Sequence, residues 1–315
     1  MQMNRKEFVK SLMLTGTALT AGTFGSLEVI TQAADENAPA DLVAVMDGEP
    51  DVMFQKALEA LGGIGRFVKK GQKIVIKPNI GWDKTPEMAA DTNPILIGEM
   101  VKTILAAGAA EVVVFDSTCD LWTNTYKNSG IEKAVKDAGG KMANGDPHAE
   151  GNFETVKLPR GVKLKEVQMH KAILACDAWF NVPILKVHSG ANITIAMKNC
   201  MGLVSKKSQR TFHQIDLQQC IADICTWEKK PVLNVIDAYR IMKSNGPRGR
   251  SEADAVLTKA LIASPDIVAA DTAAVKLAFS VTNIGLEKAT HITAGEELKL
   301  GTTKLDSLNV KRIRV

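Results

Sequence analysis

The residues best suited to chemistry lie in a stretch of 38 positions, residues 178–215, that contains no Asp or Glu. The stretch holds five basic side chains and two histidines, namely Lys186, Lys198, Lys206, Lys207, Arg210, His188 and His213. The whole chain is nearly balanced, with 39 Lys and Arg against 35 Asp and Glu, so this stretch should create a local positive potential. Because lysine makes charge-assisted hydrogen bonds to anions, the stretch predicts a site for a carboxylate or a phosphate.

Two side chains of this stretch directly follow a predicted buried strand. Lys186 and His188 come after residues 181–185, which are mostly apolar. Open α/β sheets bind ligands beyond the carboxyl ends of their strands, so we expect both side chains to face a ligand. The other basic residues follow no such strand, and we favour a solvated loop for them. These residues are Lys206, Lys207 and Arg210.

Polar residues also follow other predicted strands. Lys77 and Asn79 come at the end of a strand at 73–77, where Pro78 favours a tight turn. A second basic loop, residues 240–250, contains Arg248 and follows another strand. We expect the two basic regions to hold an anion together on one rim of the sheet. An ordinary flexible surface loop is the alternative for 240–250.

Several functional classes lack their motifs in this sequence. Neither GxGxxG nor GxxxxGK[ST] follows a strand, so we do not expect NAD as a cofactor. The five cysteines form no CxxC, which argues against a zinc ribbon and an iron–sulfur cluster. A net charge of +4 is too small to predict a nucleic-acid partner. Cys220 and Cys225 fit the apolar side of a helix, whereas Cys200, close to Lys198, is the thiol to test for reactivity.

The elements that must position these residues alternate between strands and helices. This alternation predicts an α/β fold with a mainly parallel sheet, flanking helices and two α/β lobes. The predicted strands are 42–46, 73–77, 111–115, 178–185, 232–236, 255–262 and the edge strand 308–315. The predicted helices are 49–61, 95–107, 125–138, 214–227 and 265–279. A region rich in Gly, Asn and Pro, 140–164, is the expected boundary between the lobes.

The first 33 residues have the pattern of an export signal. Arg5 and Lys6 precede an apolar run at 12–24, and Ala33 ends a small-residue cleavage site. The start resembles the twin-arginine export motif, with Lys6 in place of the second Arg. We therefore expect a periplasmic protein with a linker at 34–40, a domain at 41–315 and no membrane anchor after cleavage. An amphipathic first helix packed on the domain is the alternative.

The order of the polar motifs resembles the bacterial and archaeal proteins grouped as domain of unknown function 362. The matching motifs are Lys77-Pro78-Asn79 with Gly81, Asn181-Val182-Pro183, Lys186-Val187-His188, Thr194, Lys198-Asn199, Gly202, His213, Asp237-Ala238, Gly246-Pro247, Ser264-Pro265-Asp266 and Ala270-Asp271. Some members of that family carry an attached iron–sulfur segment. This chain lacks the cysteine runs for one, so the resemblance implies no electron-transfer role of that kind here.

The spacing of the basic residues is also similar to that of the lactate racemase type enzymes. In both, a lysine follows a histidine by ten residues, here Lys198 after His188, and a second histidine follows, here His213. The resemblance implies that Lys198 tethers a nickel cofactor and that the two histidines transfer protons or bind metal. A histidine on each side of a substrate carbon suits a racemase, because one accepts a proton while the other donates one.

These observations lead to an expected function. We expect an exported enzyme that acts on a small anionic substrate. A metal ion, or a cofactor linked to Lys198, is the expected aid to catalysis. The expected catalytic residues are His188, His213 and Lys198, with His188 and His213 as the candidate metal ligands. The expected substrate-binding residues are Lys77, Asn79, Lys186, Asn199 and Arg248. The alternative is a non-catalytic protein that binds an anion or a redox partner in the same cleft.

Overall fold

The computed structural model describes residues 38–315, so the predicted export signal lies outside the described residues. The strands are β1 (Leu42–Met46), β2 (Lys73–Pro78), β3 (Glu111–Val114), β4 (Lys141–Met142), β5 (Phe153–Lys157), β6 (Glu166–His170), β7 (Ala178–Val182), β8 (Ile184–His188), β9 (Asn192–Thr194), β10 (Leu233–Met242), β11 (Ala255–Ser264) and β12 (Val310–Arg314). The helices are α1 (Pro50–Ala60), α2 (Pro94–Ala106), α3 (Trp122–Asn128), α4 (Ile131–Asp137), α5 (Lys171–Leu174), α6 (Ala196–Asn199), α7 (Lys206–Ile215), α8 (Leu217–Ile224), α9 (Ile267–Thr282) and α10 (Thr290–Glu297).

Ten strands form one mixed sheet in the order β12-β1-β11-β10-β7-β2-β3-β4, with β8 beside β10 and β9 beside β8. The pairs from β10 through β7, β2 and β3 to β4 are all parallel, and β11 runs antiparallel to both β10 and β1. The carboxyl ends of β2, β3 and β7 therefore meet at one edge. The predicted α/β class with a mostly parallel sheet is confirmed. Strands from both halves of the chain share this sheet, and the region at 140–164 contains β4 and β5.

Two hydrophobic cores cover the two faces of the sheet. Successive residues of a strand point to opposite faces, so Trp179 of β7 packs in one core and Phe180 in the other. Helix α9 contributes Val275 to the first core, and α2 contributes Ile97 to the second. Both faces are thus closed by helices, as a central parallel sheet requires.

The single strand predicted for 178–185 is wrong, because Pro183 divides it into β7 and β8. Proline has no backbone N–H to donate to a neighbouring strand. After the break β8 pairs with β10 through an irregular register, with Ile184 opposite Asp237 and Lys186 opposite Met242. Strand β8 then forms a hairpin with β9. Lys186 therefore lies within a strand rather than after its end.

Two segments that are each predicted as one helix form two helices in the structure. Helix 214–227 is wrong because α7 ends and α8 begins around Asp216, whose backbone is extended and whose side chain accepts from Gln219 N–H at 3.1 Å. Helix α7 begins at Lys206, so the loop expected for Lys206, Lys207 and Arg210 is wrong as well. Its N-cap is Ser205, which accepts from Ser208 N–H. The helix predicted at 125–138 is broken at Gly130, where φ is +75°.

The last strand is at the edge of the sheet, as predicted. β12 pairs in parallel with β1 and places Lys311, Arg312 and Arg314 along the border. Within residues 38–315, no helix combines the length and the apolar character that crossing a membrane requires.

Candidate functional site

A buried lysine lies at the carboxyl end of β2. Lys77 has no exposed surface, and its Nζ lies 2.8 Å from Asp116 Oδ1. The same Nζ donates to Asn199 Oδ1 at 2.8 Å. Burial lowers the pKa of Lys77, and the charge of Asp116 opposes that shift. Asp116, placed just after β3, therefore orients a basic group.

Asparagines link this lysine to three strands. Asn199 Nδ2 donates to Lys77 O at 3.1 Å and to Asn181 Oδ1 at 2.9 Å, and Asn181 Nδ2 donates to Asn234 Oδ1 at 3.0 Å. Asn79 Nδ2 donates to Asn199 Oδ1 at 3.2 Å. Asn199 ends α6, so these bonds fix that short helix against β2, β7 and β10. Sequence reasoning placed Asn79 and Asn199 at the site but gave no role to Asn234.

A second lysine joins the same network from β8. Lys186 Nζ donates to Asn79 Oδ1 at 2.9 Å and also to Ala90 O. Burial lowers the pKa of Lys186 to about 8, and the charge of Asp91 opposes that shift. Burial raises the pKa of Asp91 to about 7, although Gly81 N–H donates to it at 2.7 Å. Lys77, Asn79, Lys186 and Asn199 thus come together as predicted, already bonded to one another.

Gly202 lies directly against the Lys77–Asp116 pair. A Cβ atom at this position would be 1.8 Å from Asp116 Oδ1 and 2.5 Å from Lys77 Nζ. Only a residue without a side chain fits here. The backbone of Gly202 also accepts from Ser117 N–H at 3.1 Å, which brings the loop after β3 against the turn that follows α6.

Lys198 differs from the two buried lysines. It is half-buried, and within residues 38–315 its amine has no hydrogen bond or ion pair. Burial lowers its pKa to about 8, helped by the charge of Lys77 and opposed by Cys119 and Asp116. The short helix that carries Lys198 is fixed at its start, where Asp271 accepts from Ala196 N–H at 2.7 Å and from Met197 N–H at 2.9 Å.

Three histidines lie within electrostatic range of Lys198. Its charge lowers the pKa of His188, His213 and His291, in each case after the larger effect of burial. His188 and His213 were predicted to share a site with Lys198, and His291 was not. Charge interactions in proteins fade beyond about 10 Å. Each of the three rings is therefore close enough to this amine to feel its charge.

The two ring nitrogens of His188 have different roles. Nδ1 accepts from Gly190 N–H and from Ala191 N–H, both at 3.0 Å. Burial and the charge of Lys198 lower its pKa to about 2. The ring is consequently neutral with its proton on Nε2, and it presents a hydrogen-bond donor.

The metal hypothesis for His188 and His213 fits this arrangement poorly. A histidine that binds a metal usually donates from its other nitrogen, whereas His188 Nδ1 accepts two hydrogen bonds. Among residues 38–315 there is no group of three His, Cys, Asp or Glu side chains that could hold a metal ion. His213 is exposed on α7.

His291 on α10 is the residue that sequence reasoning missed. It is fully buried, its Nδ1 donates to Gln218 Oε1 at 2.6 Å, and its Nε2 has no partner among the described residues. The neutral ring therefore presents an acceptor at Nε2, the reverse of His188. The residue is isolated in the sequence, and only the packing of α10 on α8 reveals its position.

The predicted binding residue Arg248 lies in the second basic loop and has partners of its own. Its guanidinium is 3.3 Å from Asp120 Oδ2 and stacks on Trp82 at 5.8 Å. Asp254 holds this loop by accepting from Asn245 Nδ2 at 2.6 Å and from Arg250 N–H at 2.7 Å, which lowers its pKa. Through Trp82 the loop contacts the turn after β2.

The loop after β3 brings one exposed cysteine to this region. Cys119 N–H donates to Gly81 O at 2.8 Å. Burial of its sulfur raises the pKa of the thiol, and the charges of Lys206, Lys198 and Lys186 oppose that shift. Cys119 had no predicted role, because the sequence gives it no patterned neighbour.

These features define an α/β protein with a lysine–asparagine network at the carboxyl ends of a parallel sheet and, beside it, a lysine whose amine has no partner within residues 38–315. The model of the family described as a domain of unknown function, DUF362, matches residues 74–276, and the chain belongs to this family. The match confirms the family resemblance drawn from the motifs.

Two individual proteins are similar to the chain. A thylakoid-associated protein of Synechocystis sp. is 24% identical over 261 residues, which cover 78% of this chain and 73% of that protein. The solved structure of the lactate racemase apoprotein from Thermoanaerobacterium thermosaccharolyticum has a TM-score of 0.45 and 16% identity. That similarity covers 72% of this chain and 55% of the racemase chain, so this chain spans about half of the racemase.

Proposed function

We propose that the protein is an enzyme that binds a small carboxylate or phosphate at Lys198 and transfers a proton on the bound molecule. The observation that carries the proposal is the Lys198 amine, which is half-buried and has no partner within residues 38–315. Lys77 and Lys186 are already paired, so an anion that reached them would have to displace existing bonds. Lys198 can accept an anion with no such loss.

The two predicted catalytic histidines suit opposite halves of a proton transfer. His188 presents Nε2–H and can donate a hydrogen bond to an oxygen of the substrate. Partial desolvation of the exposed His213 ring and the charge of Lys198 lower the pKa of this residue, which favours the neutral ring that can accept a proton. One donor and one acceptor around an anion-binding lysine support proton abstraction next to a carboxylate.

The Lys198 amine also fits a covalently attached cofactor, which the spacing similar to lactate racemase type enzymes implies. A pKa of about 8 leaves part of this amine unprotonated near neutral pH, as attachment requires. Such a group would supply an electrophilic centre at the position of the amine. Asp271 and Asn199 would then fix its orientation by holding the two ends of α6.

The test compares two lysines of the acid-free stretch. Lys198→Ala removes the proposed ligand, and Lys207→Ala removes the same charge from an exposed position on α7. Binding of inorganic phosphate and L-lactate is measured by calorimetry, and exchange of the lactate α-proton in D₂O is followed by NMR. We expect Lys198→Ala to lose at least tenfold in affinity and all exchange, while Lys207→Ala keeps both.

The outcomes separate the two candidate functions. Binding that depends on Lys198 without any proton exchange, across a panel of 2-hydroxy acids and phosphate esters, would favour the non-catalytic anion-binding protein. Equal affinity in Lys198→Ala and Lys207→Ala would contradict both. A mass increment on the Lys198 peptide of protein from its native host would support an attached cofactor.

We further propose that residues 1–33 direct export to the periplasm. The support is the basic start, the apolar run and the small residues before Ala34 in the sequence. The intact mass of the protein in the periplasmic fraction should correspond to a chain that begins near residue 34. Replacement of Arg5 and Lys6 by Gln should keep the uncleaved chain in the cytoplasm, and export of that variant would contradict the proposal.

A further inference from the structure

A small cavity adjoins the helix that carries Lys198. Its volume is about 280 Å³, and its lining includes Trp179, Cys200, Cys225, Trp227 and Lys230. Cys200 is the residue directly after α6, and Cys225 is the residue directly after α8. The cavity therefore has two of the five cysteines of the chain in its wall.

The two thiols bond to neighbouring carbonyls of the same short helix. Cys200 Sγ donates to Ala196 O at 3.6 Å, and Cys225 Sγ donates to Met197 O at 3.7 Å. An interaction with the Cys200 side chain, and then burial, raise the pKa of the Cys225 thiol well above its ordinary value. Both cysteines are free and nearly buried, with 3% and 7% of their surface exposed. The pair is thus shielded from large reagents, and the cavity gives small ones a route to it.

We propose that Cys200 and Cys225 form a reversible dithiol–disulfide pair that small hydroperoxides oxidise through this cavity. In the first step one thiol ionises and its thiolate attacks hydrogen peroxide. The O–O bond breaks, a sulfenic acid forms, and the leaving hydroxide takes up the thiol proton and departs as water. In the second step the other thiol attacks that sulfur, the S–O bond breaks, the S–S bond forms, and a second water leaves. Two thiols and one hydrogen peroxide give one disulfide and two waters, and a dithiol reductant reverses the change.

The position of the pair connects it to Lys198. Oxidation removes both S–H donors from the carbonyls of Ala196 and Met197, which belong to α6. A disulfide would also tie the end of α6 to the end of α8. Because α6 carries Lys198 and Asn199, we expect oxidation to move Lys198 and to change anion binding. This consequence rests on the proposed function, whereas the disulfide itself does not.

The experiment detects the linkage in the chain with both cysteines intact. The full mature chain carries Cys119→Ser, so that the exposed thiol does not react, and is treated with hydrogen peroxide. Free thiols are then alkylated in denaturant, and trypsin with Asp-N divides the chain. Cleavage before Asp223 separates Cys220 from Cys225. We expect the Cys200 peptide linked to the Cys225 peptide, with the loss of two hydrogen atoms, and full reversal by dithiothreitol.

Controls and affinity measurements decide the two parts of the proposal. Cys200→Ser and Cys225→Ser should each abolish the linkage, and Cys176→Ser should keep it. Modification of Cys119 in the unsubstituted chain shows that the peroxide has reacted. If both Cys200 and Cys225 are still alkylated under those conditions, or if the linkage involves Cys220, the proposed pair is overturned. If the linkage forms and phosphate affinity does not change at least threefold, the effect on α6 is wrong. If the reduced protein binds neither phosphate nor lactate, the proposed function fails while the disulfide pair stands.

Discussion

Lys77 and Lys198 are close in the fold and opposite in their surroundings. Lys77 is fully buried, ion-paired with Asp116 and bonded to Asn199. Lys198 is half-buried and has no such partner among the described residues. A buried charge with its partners fixed holds strands together, whereas a charge without partners is free to bind a ligand. The comparison therefore assigns stability to the first lysine and ligand binding to the second.

The largest expected effect is on stability at Lys77. Lys77→Met leaves the Asp116 carboxylate buried without its cation, which should cost about 3–5 kcal/mol of unfolding free energy. Urea denaturation measures this loss. The double variant Lys77→Met with Asp116→Asn should recover part of it, because no unpaired charge remains. A loss below about 1 kcal/mol would contradict the structural role of the pair.

The next effect concerns the space around the same ion pair. Gly202→Ala places a methyl group where Asp116 Oδ1 would be 1.8 Å away, so the pair must shift. Such overpacking costs about 1–3 kcal/mol. Gly151→Ala is the matched control, because a Cβ there meets nothing within 4 Å. Equal stability of the two variants would show that the ion pair tolerates displacement.

The third prediction uses the buried histidine near Lys198. Burial and then the charge of Lys198 lower the pKa of His291 to about 3, below the value near 6.5 of an unfolded chain. Between these values the unfolded chain binds the proton, so stability falls as the pH drops below 6.5, by about 1.4 kcal/mol per pH unit. His291→Gln should reduce the slope by that amount, and His148→Gln, at an exposed position, is the control. An unchanged slope in His291→Gln would contradict the buried neutral ring.

The smallest expected effect on stability is at Lys198 itself. Lys198→Met removes a half-buried charge that has no partner within residues 38–315, so unfolding free energy should stay within about 0.5 kcal/mol or increase. Ligand binding should be lost at the same time. A large loss of stability, similar to that of Lys77→Met, would mean that the two lysines do not differ in role.

Much of the fold follows from the sequence because hydrophobic periodicity is a local signal. Strand β1 is at the predicted residues 42–46, and β2, β3, β11 and α2 lie within two residues of their predicted bounds. The errors fall where one residue interrupts a continuous pattern. Pro183 divides β7 from β8, and Asp216 divides α7 from α8. The β5–β6 hairpin lies outside the predicted strands, and β5 falls in the region at 140–164 whose Gly, Asn and Pro content predicts a boundary.

The site was predictable in its residue types and not in its bonding. The basic stretch and the strand ends brought Lys77, Asn79, Lys186 and Asn199 into the prediction. The sequence could not show that these four are bonded to one another, or that Lys198 has no such bond among the described residues. Nor could it show His291, because its proximity to Lys198 arises from packing between helices that are distant along the chain.

The most direct test of this account is the titration of the Lys198 amine in the folded protein. The mature chain is labelled with a trace of acetic anhydride between pH 6 and 11, and mass spectrometry follows the Lys198 peptide against that of exposed Lys207. We predict half-maximal reactivity of Lys198 at about pH 8, since its pKa is lowered by burial and by the charge of Lys77. Saturating phosphate should move this midpoint upward, because a bound anion stabilises the protonated amine. A midpoint in the ordinary lysine range, unaffected by phosphate, would contradict an unpaired, half-buried Lys198 as the anion-binding group.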